Sequence, residues 1–180
     1  MNHPLHFEIG NKLKKYNQLC DIILDTACGG NQNIPIFLEE EKAFETEVCN
    51  VDALFIKNNR IINIIEIEEA NIKPIQICGK FLTSALGKFF IHKTFKNKRI
   101  CYDNSVLFLH ILDTSKLRKD KTKKFNQGLK IERKIQDLIK NDCWPSNIKE
   151  YALFFTKVDE KENQNKIVEL IEKKIKTHNV

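Results

Sequence analysis

The chain has 180 residues, 42% hydrophobic and 30% charged, and its 30 Lys and Arg against 24 Asp and Glu give a net charge of +6. That balance describes one folded domain with a sizeable core and excludes a disordered or low-complexity chain. No apolar run approaches the ~18 residues of a membrane span and MNHPLHFEIG lacks a signal-peptide core, so a cytoplasmic protein is expected, away from membranes and with an anionic partner.

Ile9, Leu13, Tyr16, Cys20, Ile23 and Ala27 recur at spacings of four and three. This predicts an amphipathic helix over about residues 6–28, stopped by Gly29-Gly30. Ile34 to Leu38 predicts a short strand. Glu39-Glu40-Glu41-Lys42 is a polar turn or edge, and Phe44 to Cys49 leads into the next strands. Val51 to Ile56 and Ile61 to Ile67 are apolar, β-branched runs flanking Asn58-Asn59-Arg60, and Asn tolerates the positive φ of a turn. Together they read as a β-hairpin buried on both faces. Pro74 suits a first helical position, and Ile75, Cys78, Leu82, Ala85, Leu86 and Phe89 extend that helix to about residue 91. Val106 to Leu112 predicts a central strand. Phe125, Leu129, Ile131, Ile135, Leu138 and Ile139 predict a helix to about residue 141, Tyr151 to Phe155 another buried strand, and Ile167, Leu170, Ile171 and Ile175 a closing helix. The expected order is α-β-β-β-α-β-α-β-α, a single α/β domain over residues 1–180.

Cys20, Cys28, Cys49, Cys78, Cys101 and Cys143 include no CxxC clip and read as reduced, structural thiols. His3, His6, His92, His110 and His178 include no HxxxH pair, and His110, inside an apolar run, reads as a satisfied core residue. GxxxxGK[ST], GxGxxG and GxSxG are absent, which leaves nucleotide-cradling loops and a serine nucleophile elbow without support.

The carboxylates of the hairpin carry the chemistry. Asp52 interrupts the first run, and Glu66, Glu68 and Glu69 end the second. An acid in such a run is costly unless paired, and several converging point to a metal ion. A three-residue loop, Asn58 to Arg60, pairs Lys57 with Ile61 and sets Asp52 opposite Glu66, with Glu68 on the same face. A two-residue turn would set Asp52 opposite Ile65 and turn Glu66 away.

Asp52 followed by Glu66-Ile67-Glu68 resembles the motif of the PD-(D/E)XK nucleases, the restriction-endonuclease-like superfamily. Val51 stands where the motif has Pro and Glu68 where it has Lys; some type II restriction enzymes of the superfamily carry this Glu-X-Glu form. The resemblance implies an αβββαβ core, with a mixed central sheet flanked by helices and here a C-terminal α-β-α extension. It implies catalysis by Asp52, Glu66 and Glu68. Mg²⁺, replaceable by Mn²⁺, would be held by Asp52, Glu66, the Ile67 carbonyl and Glu68. Lys73 and Lys80 are candidates for the missing motif lysine, and Glu8 for an extra acid from the first helix. Glu45 and Glu47 lie an odd number of residues from Asp52 and face away from it. Lys116, Arg118, Lys119, Lys121, Lys123 and Lys124 suit DNA phosphates. The expectation is a homodimeric type II restriction endonuclease that hydrolyses double-stranded DNA. A repair or junction-cutting nuclease, and a non-catalytic nucleic-acid-binding or assembly module of the same fold, stay open beside it.

Overall fold

The longest β-branched runs become the innermost strands of one mixed sheet. A computed structural model describes residues 3–69, 73–117, 121–141 and 143–178. In chain order its elements are α1 (Pro4–Leu13), β1 (Asp21–Leu24), β2 (Pro35–Phe37), β3 (Glu47–Asn50), β4 (Ala53–Lys57), β5 (Arg60–Glu68), α2 (Pro74–Leu86), β6 (Phe89–Ile91), β7 (Arg99–Asp113), α3 (Lys121–Ile139), β8 (Ile148–Thr156) and α4 (Lys161–Thr177). The strands pair in the order β1-β4-β5-β7-β6-β2-β3, with β8 also on β7. β7 runs parallel to β5 and to β8, and the remaining neighbours are antiparallel. Among the described residues no helix is long and apolar enough to cross a membrane.

Helices cover both faces, which is why β5 is buried from Ile61 to Glu68. On one face Leu5, Ile9 and Leu13 of α1 and Ile167, Ile171 and Ile175 of α4 pack with Phe55, Ile65, Ile67, Leu109 and Ile111. On the other, Ile77, Phe81 and Ala85 of α2 and Ile135 and Ile139 of α3 pack with Leu54, Ile56, Ile64, Phe108 and Leu112. Each such side chain contributes about 1.5–3 kcal/mol when fully buried, so these two layers hold the strand ends in place.

The first predicted helix is too long. α1 ends at Leu13, a 3₁₀ turn covers Lys14–Tyr16, and Asp21–Leu24 is a strand paired with Ala53–Ile56. Cys20, Leu24 and Cys28 bury in the same core as Leu5, Ile9 and Leu13, so a helix-like spacing continues where the backbone is no longer helical. Gly10 permits this fold-back, since a Cβ there would collide with the Cys28 carbonyl. The second helix is also shorter than expected. It stops at Leu86, and Phe89–Ile91 forms β6 between β2 and β7. Gly87 ends it in extended backbone, where a Cβ would strike Ile36 Cγ2. Five strands therefore separate the first two helices instead of three, and β6 precedes β7. The strands over Ile34–Leu38, Val106–Leu112 and Tyr151–Phe155 fall where the sequence places them.

The hairpin turn differs from the expected one, and a bulge shifts the register beyond it by one residue. Asn58 and Asn59 form a two-residue turn with φ of 52° and 58°, and Lys57 pairs with Arg60. Left alone, this turn would set Asp52 against Ile65. A bulge intervenes: Ile56 pairs with Ile61 but Phe55 pairs with Asn63, which leaves Ile62 as the extra residue. Ala53 then pairs with Ile65, and Asp52, just ahead of the strand, donates its N–H to that same Ile65 carbonyl. The bulge also explains why Ile61 and Ile64, three residues apart, share one core face. Its local cost is visible at Asn63, whose buried side-chain amide has no hydrogen-bond partner among the described residues.

Candidate active site at the carboxyl end of β5

Four elements meet where β5 ends. Asp52, just ahead of β4, donates its N–H to the Ile65 carbonyl at 3.2 Å and accepts the Ile67 N–H on Oδ2 at 2.6 Å. The strand backbone thus aims this carboxylate at Glu66. α2 starts at Pro74, and its Lys80 reaches back so that Nζ lies 2.7 Å from Glu66 Oε2. From α1, His6 Nδ1 is hydrogen-bonded to Glu69 Oε1 at 2.9 Å, and His6 Nε2 faces Asp52 Oδ2 at 3.6 Å. From β7, His110 is the register partner of Glu66.

The site is buried and its charges interlock. Burial, followed by the charge of Asp52, pushes the Glu66 carboxyl up to about 8 despite Lys80. Burial would also raise Asp52, but the His6 hydrogen bond, the Lys80 and His6 charges and the Ile67 N–H hold it below the usual carboxylate range. Burial opposes the charge on His6, yet Asp52 and then Glu69 raise the imidazole to about 9. Lys80 is raised too, as Glu66 and Asp52 outweigh its burial. The cluster therefore carries two cations, His6 and Lys80, and a pair of acids that share one negative charge between them near neutral pH. Burial first, and Lys80 second, lower His110 to about 3, so this imidazole is neutral.

The sequence-derived residues divide clearly. Asp52, Glu66 and Lys80 come together. Glu68 is buried at the end of β5, close enough for its charge to act on Lys80. Lys116 joins them from the loop after β7, where Nζ donates to the Glu69 carbonyl at 2.9 Å. Lys73 is exposed at the N-cap of α2. Glu8 turns away and accepts the Asp159 N–H at 3.2 Å, so the expected extra acid of α1 is not at the site. Lys123 and Lys124 lie in the first turns of α3, and Lys123 lines an apolar groove of about 780 Å³ between α2 and α3 with Phe81 and Ile135. Arg118, Lys119 and the side chain of Lys121 lie outside the described residues. His110 corrects its expectation in one respect: it is buried in the core, but neither ring nitrogen has a partner among the described residues. All six cysteines are free, and burial raises the Cys28 thiol beside Asp52, so it stays protonated.

Sequence reasoning missed His6, and it counted Glu69 among the converging carboxylates without giving it a role. The spacing of His3 and His6, one turn of a helix apart, was the available signal. Among the described residues, the group of three whose ligand atoms all lie within 4.8 Å of one another is His3, His6 and Glu69. Asp52 and Glu66 offer hard oxygen donors suited to Mg²⁺ or Mn²⁺. Chemically, the arrangement offers carboxylates for a cation, a lysine for an anion and a rim lysine at Lys116. The chain matches no protein-family model, no curated protein and no solved structure.

Proposed function

We propose that the chain is a metal-dependent endonuclease acting on double-stranded DNA. The observation that carries this reading is the Lys80–Glu66 contact beside Asp52, at the end of a buried strand. Two acids and a lysine, distant in sequence, meet there, and in this reading Lys80 supplies the charge that Glu68 does not. In this reading α1, β1, β4, β5, α2 and β7 form the restriction-endonuclease-like αβββαβ core, and β2, β3 and β6 are additions to it.

The donor set fits a hard divalent ion: Asp52, Glu66, the Ile67 carbonyl and Glu68 would hold it. When bound, Mg²⁺ would supply an activated water and neutralise charge on the attacked phosphate. The chain's own residues do the rest. The Ile67 N–H fixes the Asp52 carboxylate. Lys80, an ammonium, orients Glu66 and faces the side from which a phosphate approaches, where it offsets developing negative charge. Glu68 accepts a hydrogen bond from the attacking water and orients it. Lys116, with Lys123 and Lys124 further along, binds flanking phosphates without reading sequence. A two-fold homodimer is part of this reading because paired sites cut both strands of a palindrome.

The test is incubation of supercoiled plasmid with and without Mg²⁺, beside the Asp52→Ala and Glu66→Ala variants. Mg²⁺-dependent cutting by the wild type alone is expected. Discrete fragments support restriction and a smear a nonspecific nuclease. An inert wild type that still shifts DNA on a gel leaves the binding module as the better account.

A further inference from the structure

We propose that His3, His6 and Glu69 form a second cation site, built for a divalent transition-metal ion and distinct from the acids that would hold Mg²⁺. His3 occupies the N-cap position of α1 without a side-chain capping bond, His6 lies in its first turn, and the two imidazoles meet. Their rings sit edge to face, 5.0 Å between centroids. Glu69 enters from the end of β5. One ligand atom from each of the three lies within 4.8 Å of the others, a spread that small side-chain rotations bring to the roughly 4 Å spanned by two bonds of about 2.1 Å.

The tightest pair already has ligand spacing. His6 Nδ1 and Glu69 Oε1 are 2.9 Å apart. That matches two adjacent ligands about 2.1 Å from one six-coordinate ion. The ion takes the place of the proton between them, and the proton leaves to solvent. Glu69 is held for this role from two sides. Its Oε1 also accepts the His6 backbone N–H at 2.8 Å, and its carbonyl accepts Lys116 Nζ at 2.9 Å. The second ring nitrogen of His6 faces Asp52 Oδ2 at 3.6 Å. With Nδ1 on the ion, Nε2–H is left to donate to Asp52, the carboxylate backing that orients metal-bound imidazoles.

The donor chemistry sets the class of ion. Two imidazoles and one carboxylate favour Zn²⁺, Co²⁺, Mn²⁺ or Fe²⁺ over Mg²⁺ or Ca²⁺, which prefer oxygen alone. This site stands apart from the nuclease reading, in which His3 and Glu69 have no part.

The probe is Co²⁺. The full chain, stripped with EDTA and with the exposed Cys78 and Cys143 changed to Ser, is titrated by calorimetry and by visible absorption. Stoichiometric binding without a thiolate charge-transfer band is expected. His3→Ala, a half-buried position that leaves the core intact, weakens it at least about tenfold. Glu69→Gln does the same, and Glu66→Gln leaves it unchanged. The proposal is overturned if the wild type takes up no Co²⁺, if His3→Ala binds as tightly as the wild type, or if Glu66→Gln abolishes binding. The first result would make Glu69 only a cap for the first turn of α1, and the last would assign the ion to the acid pair. Plasmid cleavage in Mg²⁺ by the same variants separates the two readings: Glu66→Gln that keeps Co²⁺ but loses cleavage supports both.

Discussion

Lys80 Nζ and Glu66 Oε2 lie 2.7 Å apart, and they join the second turn of α2 to the end of β5. Glu66 is almost wholly buried while a third of the Lys80 side chain reaches solvent. Burial already pushes the Glu66 carboxyl up to about 8, so removing the lysine leaves a protonated buried carboxyl at neutral pH and not an uncompensated charge. Lys80→Met is therefore expected to cost about 1–2 kcal/mol, below the usual loss for a fully buried pair because solvent already screens the lysine. Urea unfolding at neutral pH measures it. Under the nuclease reading the same variant loses at least about a hundredfold in single-turnover cleavage, roughly 3 kcal/mol.

Asp52→Ala and Glu66→Ala each remove a carboxylate at the proposed site. Cleavage is expected to fall by at least about a thousandfold, roughly 4 kcal/mol of transition-state stabilisation. DNA affinity in Ca²⁺ changes little or rises, since an acid facing phosphate is gone. Single-turnover cleavage beside gel shifts reads both quantities, and wild-type-like cutting by either variant would end the mechanism.

His110 makes stability depend on pH in a defined direction. Its imidazole titrates near 6.5 in the unfolded chain and near 3 in the fold. Below pH 6.5 the unfolded state binds a proton that the folded state refuses, so stability falls with pH down to about 3. The loss from this group alone is about 2–3 kcal/mol at a pH of about 4.5. His110→Leu, in EDTA, should remove that slope and leave stability at pH about 7 equal or higher, because two buried nitrogens without a partner among the described residues are replaced by hydrocarbon. Denaturation at the two pH values compares them. Parallel curves for variant and wild type would refute the assignment.

The turn of the β4–β5 hairpin offers a test free of the active site. Asn59 holds a φ of 58°, which Gly adopts without penalty and a β-branched residue resists. Asn59→Gly should leave stability unchanged or raise it by about 0.5 kcal/mol, and Asn59→Val should lower it by about 1–2 kcal/mol. Thermal melts of the pair decide.

For DNA binding, the lysines at Lys116, Lys123 and Lys124 are the described members of the basic stretch. Replacing all three by Ala should reduce the slope of log affinity against log salt by ~0.9 for each phosphate that is no longer neutralised. An unchanged slope would mean that this side of the molecule does not meet the phosphate backbone.

The sequence was legible where burial repeats locally. β5, β7 and β8 announce themselves because helices on both faces make the runs Ile61–Ile67, Val106–Leu112 and Tyr151–Phe155 almost continuously apolar. The nearness of Asp52 to Glu66 was legible as a pattern of carboxylates, and Lys80 as a residue on the helix that follows. Other features depend on distant partners. Whether His6 or Glu8 meets the acids is decided by how α1 lies against β5, which Leu5, Ile9 and Leu13 settle by packing on residues far away in the chain. β1 was hidden for a related reason: its Leu24 shares a core with α1, so its spacing mimicked a longer helix. β6 is only three residues long and gains its strand character from β2 and β7 on either side.

The extra residue at Ile62 has a consequence for how this segment can change length. Side chains on a strand alternate, so the site depends on whether the count between Asp52 and Glu66 is in phase with the turn. The two-residue turn is out of phase by one, and the bulge restores it. A single insertion or deletion in the segment swings Glu66 to the opposite face, away from Lys80. Two together do not, and neither does one placed at the bulge when the turn lengthens to three. Turn and bulge are thus a compensating pair. In chains descended from this one, a three-residue turn would be expected to come with an unbroken β4–β5 ladder, and a two-residue turn with the bulge.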